Sequence, residues 1–79
     1  PAPAPPRQRD AERTRAAVLD AAERLFAEQG YDAASLEAIG RRAGVSRGTP
    51  GYLFGPKEAL YRAVLARVLT AEADALLEA

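Results

Sequence analysis

Seventy-nine residues with no cysteine and no histidine leave room for one domain and remove disulfide scaffolds, thiolate nucleophiles, imidazole bases and the usual zinc sites together. Eleven Lys plus Arg balance eleven Asp plus Glu, no apolar run approaches the roughly 18 residues of a bilayer span, and the amino end lacks the apolar stretch of a secretory signal. The composition therefore predicts a cytoplasmic chain that is not an enzyme and uses no cofactor, and one so short that a partner or further sequence completes it.

The first nine residues, "PAPAPPRQR", are proline-dense and can bury nothing. They predict an extended, poorly ordered arm over 1–9, more simply a trimmed tail than a dedicated binding arm. From Asp10, which can cap a helix, Val18, Ala22, Leu25 and Phe26 recur on one face and predict a first helix over about 11–29. Gly30 stops it, and Tyr31 suits the apolar contact that follows a glycine C-cap.

Ser35 is the next N-cap candidate. Leu36, Ile39 and Ala43 share a face behind it, which predicts a second helix over about 36–43. Gly40 inside this helix costs about 1 kcal/mol relative to alanine unless close packing requires its missing side chain. Gly44 ends the helix, Val45 is the expected buried turn residue, and Ser46 can cap a third element at once. Two short helices joined by "GVS" form a helix-turn-helix pattern.

The third element, in "SRGTPGYLFGPKEALY", carries its own helix breakers. Pro50 has no N–H and disfavours a helical Thr49, whereas Thr49 as N-cap with Pro50 at N1 violates nothing. A short helix over about 47–53, irregular at its start, is expected. Gly55 as N-cap, Pro56 at N1 and Glu58 at N3 then open a fourth helix over about 56–77. Its stripe is Leu60, Tyr61, Val64, Leu65, Val68, Leu69, Leu76 and Leu77.

Charge is unevenly placed. Residues 16–40 are acidic, while residues 41–67 hold Arg41, Arg42, Arg47, Lys57, Arg62 and Arg67 against Glu58 alone. This asymmetry favours a polyanion partner despite the neutral total.

The run from Arg15 to Leu65, with "AAERLFAEQGYDAASLEAIGRRAGVSRGT" followed by "F" and "KEAL" at matching spacing, resembles the N-terminal DNA-binding domain of the TetR family of bacterial repressors. The resemblance implies an all-α fold: a three-helix, homeodomain-like helix-turn-helix bundle over 10–55, with residues 56–79 starting a long fourth helix that leads into a ligand-binding and dimerisation domain absent here. It also implies a dimer acting on palindromic double-stranded DNA through the major groove, with repression relieved by a small molecule bound to the missing part.

Residue by residue, Arg47 can donate a two-pronged pair of hydrogen bonds to guanine, though a phosphate contact or a free surface arginine fits as well. Gly48 allows close backbone approach, or serves turn geometry. Thr49 can meet a phosphate or a thymine methyl, or act as a cap. Ser35 and Ser46 are caps whose helix ends can also hold phosphate. Tyr52 can reach the backbone by its hydroxyl, and Lys57 matches the family's phosphate-binding lysine although it opposes the helix dipole. Arg41 and Arg42 read as solvated surface. Where most family members have Leu-Tyr this chain has Pro50 and Gly51, and Leu53 replaces a common His or Tyr. The family's phosphate-binding tyrosine is therefore not carried over, and Gly51 has no physical account at this level. The competing reading is a helical protein-interaction module with little DNA affinity, in which the apolar fourth helix docks on a partner.

Overall fold

Good helix formers follow Pro6, and proline at the first helical turn gives up an N–H that has no partner there anyway. In the computed structural model, which describes residues 6–78, α1 accordingly spans Pro6–Gln29. It starts about five residues before the sequence expectation. Asp10 is not a cap but an interior residue, whose carbonyl accepts a 2.8 Å bond from the Thr14 hydroxyl. The expected arm over 1–9 is thus helical from Pro6 onward, and its residues 1–5 lie outside the described residues.

The chain continues through α2 (Leu36–Ala43), α3 (Thr49–Phe54) and α4 (Lys57–Glu78), with no strand among the described residues. α2 has the predicted bounds. Its first turn is capped by Ser35, whose Oγ accepts from the Ala38 N–H at 3.1 Å, a bond worth about 1 kcal/mol. Gly30 ends α1 at φ +83, where only glycine sits without strain. Tyr31 then folds back to stack on Phe26 at 5.8 Å, and Tyr61 of α4 meets both rings edge-on at 5.0 Å.

One core joins these elements. Val18, Ala21, Ala22, Leu25 and Phe26 of α1 pack with Ala34, with Ile39 of α2 and with Leu60 and Val64 of α4. Burial of each large aliphatic side chain contributes about 1.5–3 kcal/mol. The predicted stripe of α4 is therefore covered over its first turns only: Leu69 is 62% exposed, and Leu76 and Leu77 are 79% and 86% exposed.

Two ionic ties reinforce the packing. Arg67 of α4 forks between Asp20 (2.8 Å) and Glu23 (2.7 Å) of α1. Arg42 of α2 engages both oxygens of Glu28 on α1, at 2.7 and 3.0 Å; it is an inter-helix tie and not the solvated surface arginine that the sequence suggested. The Arg42 hydrogen bond outweighs desolvation and holds the Glu28 carboxyl below its ordinary range. A carboxylate whose folded pKa is depressed stabilises the fold above its unfolded pKa and loses that contribution as pH falls through the folded value. Thermal stability is accordingly expected to hold near neutral pH and to decline below about pH 4.3. Arg42→Ala should flatten part of that acid limb in calorimetric scans, and an unchanged limb would show that the tie carries no pH-dependent stability.

Candidate nucleic-acid interface

α2 ends in a Schellman arrangement. Gly44, at φ +77, donates to the Arg41 carbonyl at 3.1 Å, and the Val45 N–H donates to the Gly40 carbonyl at 3.0 Å. The chain then passes through Ser46, Arg47 and Gly48 into α3. Thr49 is the first helical residue and Gly48 stands at the N-cap, in right-handed conformation (φ −84, ψ −13) and without a side-chain cap. The third helix thus begins two residues later than the 47–53 expectation, and Thr49 is not the N-cap. The Thr49 N–H bonds instead to the Ser46 carbonyl at 3.0 Å, while the two hydroxyls pair at 2.7 Å. Ser46 therefore caps no backbone N–H with its side chain. Ser46 stands two residues before the Gly48 N-cap, and its hydroxyl is taken by the Thr49 hydroxyl instead.

Pro50 is fully buried. Its position explains the glycine inside α2: a methyl group on Gly40 would lie 3.1 Å from the Ser46 carbonyl oxygen, 3.3 Å from Arg47 Cα and 3.4 Å from Pro50 Cγ. The missing side chain is what lets the turn and the start of α3 rest on α2. Gly51, by contrast, has room, since a methyl there would meet only Leu36 Cδ1 at 3.8 Å. Nothing in the structure requires glycine at 51.

At the far end of α3, Gly55 adopts φ +90 and donates to the Gly51 carbonyl at 2.8 Å. Gly55 is thus the C-cap of α3 and not the N-cap of α4. Pro56 takes the latter place, its carbonyl accepting from Ala59 and Leu60, so Glu58 falls one position earlier than N3.

The candidate residues divide by what they touch. Arg47 is exposed at the turn and makes no ion pair or hydrogen bond among the described residues. Gly48 beside it has open space where a side chain would be. Tyr52 is 88% exposed, the most open aromatic ring of α3. Ser46 and Thr49 present their paired hydroxyls at the same turn, whereas Ser35 lies at the opposite end of α2 and is occupied as a cap. Lys57 is already engaged: its Nζ donates to the Tyr31 carbonyl at 2.7 Å, approaches that of Asp32 at 3.4 Å, and sits 4.4 Å from the Tyr31 ring centroid. These partners explain a lysine in the first turn of a helix, since loop carbonyls and a ring face offset its repulsion from the helix dipole.

The basic run over 41–67 is consequently less free than its charge suggests. Arg41 pairs with Glu37 at 3.6 Å, Arg42 with Glu28, Arg62 with Glu58 at 2.7 Å, and Arg67 with Asp20 and Glu23. Arg47 is the member of that run with no ion pair or hydrogen bond inside the domain, while Arg41 and Arg62 stay largely exposed beside their i,i+4 carboxylates. Sequence reasoning also missed Arg15, whose guanidinium covers the Phe54 ring at 4.4 Å and ties α1 to the end of α3. An arginine and a phenylalanine so far apart in the chain carry no local signal of such contact.

Comparison with known proteins agrees with this geometry. The family model for bacterial regulatory proteins of the tetR family matches residues 18–64, which includes α2, the turn and α3. Over 58 residues the chain is 40% identical to the HTH-type transcriptional regulator UidR of Escherichia coli, covering 73% of this chain and 30% of that protein. It is 44% identical over 57 residues to the regulator SrpR of Pseudomonas putida, covering 72% and 27%, and 41% identical over 54 residues to AcrR of Shigella flexneri, covering 68% and 25%. The match thus spans 25–30% of the length of these three relatives. No solved structure matches it. With the family model matching residues 18–64, across α2, the turn and α3, the chain belongs to the tetR family of bacterial regulatory proteins and comprises the helix-turn-helix part of such a regulator.

Proposed function

We propose that the domain binds double-stranded DNA by laying α3 and its preceding turn in the major groove, and that it does so as the N-terminal part of a longer dimeric repressor released by a small molecule. Arg47 carries this reading. It is an arginine at the mouth of the recognition element, exposed and without an internal carboxylate, whose planar fork matches guanine O6 and N7. Gly48 leaves room for the backbone to approach. In this reading the Ser46 and Thr49 hydroxyls and the exposed Tyr52 hydroxyl serve as phosphate contacts around it, and such contacts fix orientation while base contacts fix sequence. Ser35 marks a helix N-terminus that can face a phosphate. Lys57 offers its one remaining N–H to the backbone while the other two hold the loop after α1. Two such domains, paired through residues beyond α4, would read half-sites about one helical turn apart.

The test is fluorescence anisotropy of the full-length protein on a duplex enriched from random sequence, across a salt series. Affinity is expected to fall as salt rises, with a log–log slope of about −0.9 for each phosphate neutralised. Absence of binding, or affinity indifferent to salt, would remove the proposal and favour a protein partner for the uncovered apolar residues of α4.

A further inference from the structure

The contact between Gly40 and the turn places three things against one missing side chain: the Ser46 carbonyl, the root of Arg47 and the ring of Pro50. We propose that this notch is a register lock, in which Gly40 and Pro50 set the depth and angle at which Arg47 is presented and so determine base specificity without touching DNA. The inference rests on the DNA-binding reading given above and concerns residues to which that reading assigns no contact.

Each partner in the notch is constrained. The Ser46 carbonyl accepts the Thr49 N–H at 3.0 Å, so it cannot retreat from α2 without carrying the first turn of α3 with it. Pro50 has a rigid ring and is fully buried, so the helix cannot roll towards α2 and has little freedom to roll away. Arg47 lies between these two fixed points, with its Cα 3.3 Å from where a Gly40 methyl would stand. A methyl at 40 therefore moves the base-reading residue and the helix start together by a few tenths of an ångström. Its effect on stability is small, because alanine is the better helix former and offsets the crowding. Its effect on a bidentate contact is larger, because two hydrogen bonds must meet two base atoms at once within a narrow range of length and angle. Gly51 supplies the control on α3 itself, since its added methyl meets only ordinary contact.

The experiment compares the full-length wild-type protein with Gly40→Ala, Pro50→Ala, Gly51→Ala and the double variant Gly40→Ala/Arg47→Ala. Each is titrated onto the duplex enriched by the wild type and onto a scrambled duplex of equal length. Gly40→Ala is expected to lose about tenfold in the ratio of the two affinities, with scrambled-duplex affinity, salt slope and helical circular dichroism unchanged. Pro50→Ala, which loosens the lock instead of crowding it, should also lower the ratio. Gly51→Ala should retain it, and Arg47→Ala should cost much less in the Gly40→Ala background than alone. The proposal is overturned if both lock variants keep the wild-type ratio, or if they lose both affinities in parallel with the helical signal, which is the mark of a purely structural role. Should the wild type enrich no duplex, the DNA-binding reading falls and this inference with it. Enrichment by the wild type with an unchanged ratio in the variants removes the inference alone.

Discussion

Truncation of Leu60 to alanine is expected to lower the unfolding free energy by about 2–5 kcal/mol, among the largest single effects on stability in this chain. Leu60 is completely buried, as are Val18 and Ile39 of the same core, and it brings the first turn of α4 into that core, where α4 packs on α1 and α3. A chain of this length is stabilised by roughly 0.05–0.15 kcal/mol per residue, so one such cavity removes a large share of the total. The ionic ties do not compensate: Arg67 and Arg42 hold partners that are about half-exposed or more, where solvent screens most of the attraction. Urea denaturation followed by helical circular dichroism reads the change directly. Leu76→Ala, at a residue 79% exposed in the same helix, should change stability by no more than about 0.5 kcal/mol. Equal effects from the two variants would mean that α4 is not held by its first turns, contrary to the packing described.

The same division within α4 shows where sequence was a sufficient guide and where it was not. Periodicity located the core because burial and helical spacing are two expressions of one constraint. Val18, Ala22, Leu25 and Phe26 had to face inward if α1 was a helix, and they do. α2 was legible to the residue because both of its ends carry local chemistry, a serine cap and a left-handed glycine. α4 was legible as a helix with more apolar surface than so short a chain can cover, but not the turn at which its cover stops, since an apolar stripe records what can be buried and not what is present to bury it.

Charge misled in a related way. The run from Arg41 to Arg67 is basic along the sequence, yet Arg42 and Arg67 take their carboxylate partners Asp20, Glu23 and Glu28 from α1, and only the tertiary fold brings those pairs together. Lys57 belongs to the same class: its carbonyl partners lie some twenty-five residues earlier in the chain. At the turn, Gly40 and Pro50 were each visible as local anomalies. Gly40 is accounted for by the turn and the start of α3 lying against it, the Ser46 carbonyl nearest, and that contact is one no local rule contains.

Replacement of Arg47 is expected to have the largest effect on recognition. Arg47→Ala should weaken binding to the preferred duplex by about 5- to 150-fold, corresponding to the roughly 1–3 kcal/mol of one bidentate base contact, and should relax sequence preference at a single base pair of each half-site. Arg47→Lys separates the roles that an exposed arginine at this turn can have. Lysine keeps the charge but not the planar fork, so a base-reading arginine loses discrimination in both variants while the salt slope is retained in the lysine variant. A phosphate-binding arginine would instead be rescued by lysine, with uniform loss across all sequences in the alanine variant and a salt slope shallower by about one. A merely solvated arginine would tolerate either change. The pair of variants suits this chain because Arg47, unlike the other basic side chains of residues 41–67, has no ion pair or hydrogen bond within the domain that its replacement would also remove.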